Sequence, residues 1–350
     1  PVAAIFWNND LAAIACAKSG TLIFWDITRG EIAQEFQVGK QLRGVARFGK
    51  DELLAVDEKA NELVHVRYEN RQLHELGRFE TPLSPVDVLP FNKRQFVVAS
   101  LWGRQATIWS RSDDGLRIDR TERLPFEPRH LFDVSGGAHQ NIFGAASAFG
   151  GELVSFGERP LTLTTTTFGT HIGGSGFDQR QLPVFPGYVF SRQFLDESQP
   201  LTLQNIFAGK IFKNEVSAGG KDGMPLMRED AKGVCRNDQN ADPAGIAFTT
   251  TGMLVCLSGV DQVWYRSSPF DEHPQRLAVG MRPRVVVARD DLALVLGELD
   301  DSVSRIEFKD PKHPTVTTKV LDPALASREL SPAERGERLF FSAKMSAGGM

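Results

Sequence analysis

Cysteine is scarce in this chain: Cys16, Cys235 and Cys256 are its three thiols among 350 residues, and they lie far apart. An odd count of scattered thiols builds no disulfide framework, and no Cys-x-x-Cys pair offers a zinc or redox site. The Cys-x-x-Cys-His run needed to attach a c-type haem is absent as well. No apolar window approaches the roughly 18 residues that span a bilayer, so no transmembrane segment is expected. Charge of one sign is also lacking. Against 40 basic residues stand 44 acidic ones, and the net charge of −4 points to neither nucleic acid nor a membrane surface as partner. Glycine is plentiful at 32 residues and proline moderate at 19, without a three-residue period, which excludes a collagen-like fibre and implies many tight turns. With 41% apolar residues the chain can bury a core of its own. It opens at Pro1 with neither a methionine nor a basic leader, which reads as a mature or trimmed boundary.

What the sequence does contain is a repeat. The clearest copy has apolar runs at 283–288 and 292–296, a turn at Arg289-Asp290-Asp291, a second turn at Asp300-Asp301, and a third run at 302–308. The copy before it has runs at 244–248, 253–257 and 262–265, and matching third runs occur at 21–26, 62–67, 105–109 and 152–156. The turn markers Gly20, Asn61, Arg104, Gly151, Asp261 and Asp301 stand 40 to 47 residues apart, save for one interval of 110 that holds two units and an insertion. Units of about 40–45 residues with four short strands are the arithmetic of a propeller blade. The expected fold is therefore all-β: a seven-bladed β-propeller of four-stranded antiparallel blades over residues 1–322. A sandwich of repeated hairpins also accommodates short strands, but has no reason to keep a period. The pattern then blurs: 161–168 reads clearly as a strand, and strands of the fifth unit are expected at 188–190 and 206–212. Residues 217–242, rich in Gly, Asp, Asn and Lys, read as a long surface loop.

Residues near the start of each first strand would line the channel of such a fold or its rim. Those positions carry Arg43, Arg129, Arg282 and Arg284, with Asp87 in the third unit and Asp242 before the sixth. Several arginines at one mouth could receive an anionic ligand or a carboxylate-rich partner; alternatively they pair with Asp87, Asp133 and similar neighbours. His130 begins the fourth unit and could share a face with His139 and His171, but none of the seven histidines forms a recognisable metal-ligand spacing. Trp25, Trp109 and Trp264 occupy similar places in third strands and are expected to pack between blades. Trp102, in the turn Leu101-Trp102-Gly103-Arg104, is the candidate for an exposed contact. The glycine pairs Gly173-Gly174 and Gly219-Gly220 lack a phosphate-binding fingerprint, and Ser135-Gly136-Gly137 lacks a nucleophile elbow's setting. No catalytic residue can be named.

After Asp322 the β rhythm stops, and residues 323–350 read as a linker and a first helix. Ser331 is a fitting N-cap, Pro332 suits the first helical position, and Glu334 completes a capping box. Leu339, Phe340 and Phe341 supply an apolar stripe. Gly336 weakens an isolated helix by about 1 kcal/mol, so a close packing partner is expected for it.

Four stretches make residues 1–322 similar to bacterial YVTN-type, WD40-like propellers: residues 242–247 (DPAGIA), 259–263 (GVDQV), 279–283 (VGMRP) and 299–304 (LDDSVS). In one branch of that family the propeller is fused to a C-terminal cytochrome c domain related to the di-haem cytochrome c peroxidases. Residues 330–341 (LSPAERGERLFF) resemble the opening helix of that domain, which the family follows within a few residues by a haem-attachment Cys-x-x-Cys-His. Two departures stand out. The Asp/Asn-Gly turns usual in such blades are mostly replaced, as at Phe48-Gly49-Lys50-Asp51-Glu52, and residues 172–240 lack the family's text. The resemblance implies an exported, periplasmic bacterial haem protein whose propeller serves a cytochrome c domain in cis, or a redox partner, in electron transfer or peroxide reduction. It also implies a c-type haem held beyond Met350, with no cofactor and no catalysis in this chain alone. The alternatives are a non-enzymatic ligand- or protein-binding propeller and, less well matched, a metal-dependent lactonase-like hydrolase.

Overall fold

In most sheets the second strand is the most apolar: Leu11–Ala15, Glu52–Asp57, Gln95–Ser100, Met253–Leu257 and Leu292–Gly297 are buried along almost their whole length. Such unbroken burial marks a strand covered on both faces, whereas a half-solvated strand alternates. The fourth strands show the opposite character. Glu31–Gln37, Gln72–Glu80 and Thr315–Val320 are polar and largely exposed, as edge strands should be. This gradient repeats through a computed structural model that describes residues 1–113, 115–133, 142–149, 152–157, 164–167, 171–172, 176–177, 183–189, 208–213, 224–225, 243–267, 275–322 and 329–342.

Six four-stranded antiparallel sheets, each a meander in chain order, occupy residues 3–37, 42–80, 85–123, 128–167, 243–278 and 283–320. The sheet between residues 171 and 225 departs from the expected pattern with five strands. His171–Ile172 and Gly176–Phe177 both pair with Pro183–Val189, which continues to Ala208–Lys213 and then Met224–Pro225. Two-residue strands carry no apolar alternation, so the sequence pattern could not reveal them. Apart from Met224–Pro225, the expected loop at 217–242 lies outside the described residues. We number the sheets one to seven in chain order. The chain divides into two compact units, Pro1–Thr167 with sheets one to four and Phe168–Met350 with sheets five to seven and a helix.

Within each unit, successive sheets lie side by side along their first strands. In the first unit Ala3–Phe6, Leu42–Arg47, Pro85–Pro90 and Pro128–Asp133 are neighbours in that order; in the second, the first strands Pro243–Phe248 and Pro283–Arg289 are neighbours, and Pro183–Val189, the third strand of sheet five in chain order, lies beside Pro243–Phe248. This is a propeller-like arrangement. Between sheets one and two, Phe24 stacks on Tyr68 at 3.6 Å and Trp7 meets both edge-on. Between sheets two and three, Phe48, Phe96 and Trp109 share a cluster, and Tyr265 and Phe308 meet between sheets six and seven. Trp25, Trp109 and Trp264 are all buried, as expected of third-strand tryptophans.

The repeat also governs the backbone. The turn markers Gly20, Asn61, Arg104, Asp261 and Asp301 all adopt positive φ, between 49° and 69°. In each, the marker's carbonyl accepts a hydrogen bond from the residue that follows the fourth strand: Val38, Thr81, Leu124, Val279 and Leu321, at 2.7–3.2 Å. The sixth marker, Gly151, lies outside the described residues. Glycine is required elsewhere, where first strands approach. A Cβ on Gly44 would stand 3.1 Å from the Asp87 Cα, and one on Gly245 would stand 2.6 Å from the Arg284 carbonyl oxygen.

The C-terminal helix, α1 (Pro332–Phe341), forms as expected, with Ser331 and Glu334 in a reciprocal capping box. The expected neighbour for Gly336 is not found: a Cβ there would meet nothing within 4 Å. No helix among the described residues is long and apolar enough to cross a membrane.

Candidate functional site

The first-strand arginines owe their positions to bulges. In sheets two, four and seven the register with the second strand skips one residue, and the skipped residues are Arg43, Arg129 and Arg284. In sheet three the skipped residue is Val86. A bulge re-aims the extra side chain out of the pleat, which is how one strand position comes to present a cation repeatedly. Asp242 lies outside the described residues.

Two of the first-strand cations, Arg43 and Arg282, are compensated by carboxylates. Arg43 pairs with Glu58, which also accepts hydrogen bonds from Gln41 and from the Ser84 hydroxyl, each at 2.8 Å. Glu58 opens the turn between the second and third strands of sheet two. Glu298 opens the corresponding turn of sheet seven and stands 3.3 Å from Arg282. No sequence motif singles out either acidic residue, although each sits three residues before its turn marker. Asp87 and His130 come together: His130 Nδ1 is 2.9 Å from Asp87 Oδ2, and the same oxygen accepts the Leu131 N–H at 2.8 Å. That carboxylate therefore joins the first strands of sheets three and four. Among the described residues no group of three His, Cys, Asp or Glu could hold a metal ion. Burial pushes the Cys256 thiol's pKa up, which suits a core residue and not a nucleophile.

Arg282 plays a separate part. It has positive φ, its N–H donates to Asp261 Oδ1 at 2.8 Å, and its side chain is about nine-tenths buried. The guanidinium lies 3.3 Å from the centroid of the Phe341 ring, a cation–π contact that fastens α1 to sheet seven. Arg338 adds a hydrogen bond to the Leu299 carbonyl at 3.3 Å. The other apolar residues of the helix are left in solvent, Leu339 at 58% and Phe340 at 81% exposure.

A second exposed apolar feature lies in the first unit. Trp102, in the turn between the second and third strands of sheet three, is 55% exposed and stacks on Phe149, which is 67% exposed, with ring centroids 5.7 Å apart. Phe149 follows the second strand of sheet four and stands two residues before its turn marker, as Trp102 does before Arg104. That shared offset was a usable signal for Phe149. The adjoining connection from sheet two is bonded to the Trp102 turn, Gly103 N–H to Leu83 O at 3.0 Å and Leu101 N–H to Ser84 O at 2.7 Å, and it carries exposed Leu83. Turns between second and third strands and connections between sheets lie at the same end of a meander. Three large apolar side chains from two sheets thus stand at one end of the unit, rimmed by the Arg104–Glu127 pair.

Glu52, in sheet two, gathers a charge cluster around a largely covered carboxylate. It accepts from His65 Nε2 at 2.9 Å and Arg67 at 3.1 Å, and pairs across the sheet boundary with Arg111. Burial opposes its charged form, but the hydrogen bonds from His65 and Arg67 and the charge of Arg111 outweigh it and hold the carboxyl below its ordinary pKa. Burial lowers the His65 pKa despite the pull of Glu52, so the imidazole donates as a neutral group.

No family model matches the chain, and no curated protein matches it. Solved structures do. Kuenenia stuttgartiensis hydrazine synthase is similar over 92% of this chain and 96% of its own, at 11% identity and a TM-score of 0.67. Staphylococcus aureus virginiamycin B lyase is similar over 85% of this chain and 92% of its own, at 13% identity and a TM-score of 0.60. The Myceliophteria thermophila Cps50 (Swd1) β-propeller domain is similar over 84% and 93%, at 11% identity and a TM-score of 0.54. The fold is β-propeller-like. Identities this low carry the fold and nothing about chemistry.

Proposed function

We propose that this chain is a protein-binding propeller scaffold without catalysis of its own, its seven sheets serving as seven blades. The observation that carries the reading is the Trp102–Phe149 stack. Two aromatic side chains hold each other in place while more than half exposed, beside Leu83 and a charged rim. Exposed clusters of large apolar residues on a rigid scaffold mark interaction surfaces, and tryptophan is prominent among the residues that anchor them. Of the first-strand cations, Arg43 and Arg282 are drawn into internal pairs with Glu58 and Glu298, which argues against these two as a free anion-catching mouth.

A photo-crosslinking amino acid at position 102 tests this in extracts of the source cells. A discrete protein partner should be captured from position 102 and not from position 118, an exposed isoleucine on the fourth strand of sheet three. Equal capture from both positions, or none, would overturn the proposal.

A second reading keeps α1 as the opening element of a haem-bearing cytochrome c domain, in an exported protein. It is favoured by the resemblance of residues 330–341 and by Leu339 and Phe340 standing in solvent while Phe341 is held by Arg282. The 350 residues contain no Cys-x-x-Cys-His run, so they do not fit a covalently attached haem, and none of their chemistry is routed through one.

A further inference from the structure

At the other end of sheet three, away from the aromatic stack, lies an open cleft of about 680 Å³. Its lining includes Lys93, Arg94, Arg111 and Arg117, with Asp119 as the one carboxylate. We propose that this cleft is a binding site for a small multivalent oxyanion, bearing either phosphate or several carboxylate groups. The proposal is independent of the protein-binding reading.

The cleft is built on fixed supports. In the turn that carries Lys93 and Arg94, the Asn92 side-chain oxygen accepts the N–H groups of Arg94 and Gln95, both at 2.8 Å, and its amide donates to Gln95 Oε1 at 3.0 Å. The Arg94 carbonyl accepts the Arg111 N–H at 2.7 Å, joining the turn to the third strand. Arg111 is itself oriented by two contacts, its pairing with Glu52 and the Phe48 ring 4.6 Å beneath its guanidinium. Arg117 is 3.4 Å from Asp119, whose carboxylate also accepts the Ser110 hydroxyl at 2.8 Å. Lys93 and Arg94 are exposed, and no carboxylate among the described residues lies within salt-bridge distance of either.

The charge balance selects the ligand. Four cations face one carboxylate across the cleft, and allowing Glu52 to neutralise Arg111 still leaves a surplus of two positive charges. A monovalent anion would leave that surplus uncompensated. Planar guanidinium groups bind phosphate and carboxylate oxygens through paired N–H donors, and Arg111, already held by Glu52 and Phe48, loses little rotamer freedom on doing so. The volume lies within the range of small-molecule sites, roughly 300–1,000 Å³.

Isothermal titration of the full chain at low ionic strength tests the site, with inorganic pyrophosphate and citrate as probes. At least one should bind, and the one that does identifies phosphate or polycarboxylate as the source; both binding supports the shared oxyanion chemistry. The double substitution Lys93→Gln with Arg94→Gln should weaken binding about tenfold or more. That variant removes exposed groups of the turn and should keep the wild-type melting temperature. Arg29→Gln, which lowers charge at a distant exposed site, should leave binding unchanged. Absence of heat with both probes would overturn the proposal, as would equal weakening by Arg29→Gln, which would show that net charge alone attracts the anion.

Discussion

Glu52 is the residue on which charge, hydrogen bonding and sheet contact converge, and its replacement is informative. Glu52→Gln should lower stability by about 1–3 kcal/mol at neutral pH, because Arg111 and His65 lose their shared acceptor. A carboxyl whose folded pKa is depressed stabilises above its unfolded value, and that stability is lost as pH falls through the folded value. Glu52 raises the His65 pKa against the effect of burial, so the carboxylate's own contribution is read at pH below the imidazole's ordinary range. Urea denaturation of both proteins from neutral to acid pH should therefore show the gap between wild type and Glu52→Gln narrowing as pH falls. A constant gap would mean that the carboxylate's charge is not what stabilises the sheet boundary. Nothing in the sequence pointed to Glu52, because its partner Arg111 is 59 residues away and meets it only once sheets two and three pack. The turn markers were legible for the opposite reason. A positive φ is a local demand, and Gly20, Asn61, Asp261 and Asp301 are of residue types that meet it readily, while Arg104 is placed by the interval alone.

At the scale of elements, the close approach of first strands yields a second test. Gly44→Ala and Gly245→Ala each place a methyl group against neighbouring backbone and should destabilise by about 1–3 kcal/mol, measured by chemical denaturation. Gly336→Ala should do the reverse. With open space around the position and a helical backbone, alanine favours α1 by about 1 kcal/mol, which should slow amide hydrogen exchange across residues 332–341. The capping box of α1 could be read directly from Ser331, Pro332 and Glu334, since a cap is a contact between residues three apart. Its docking could not. The Arg282–Phe341 contact joins a turn residue to a helix end 59 positions later, and only the folded chain brings them together. The fifth sheet was half legible: the strands expected at 188–190 and 206–212 overlap Pro183–Val189 and Ala208–Lys213, whereas its three two-residue strands lack any periodic signature.

For the whole molecule, the period of about forty residues was the strongest signal, and the meanders in chain order and side-by-side first strands are its physical consequence. Function was less legible, because an interaction surface is made by turns of different repeats. Trp102 stood out as a turn tryptophan, but its meaning comes from Phe149 in the next sheet and Leu83 in the connection before. The central claim is that these side chains anchor a protein partner. Once a partner is captured from position 102, its affinity for Trp102→Ala and Phe149→Ala variants is the direct measurement. Each substitution should weaken binding about tenfold or more, roughly 1.4 kcal/mol, with an unchanged melting temperature, whereas Ile118→Ala should leave affinity intact. Unaltered affinity in both aromatic variants would contradict the claim.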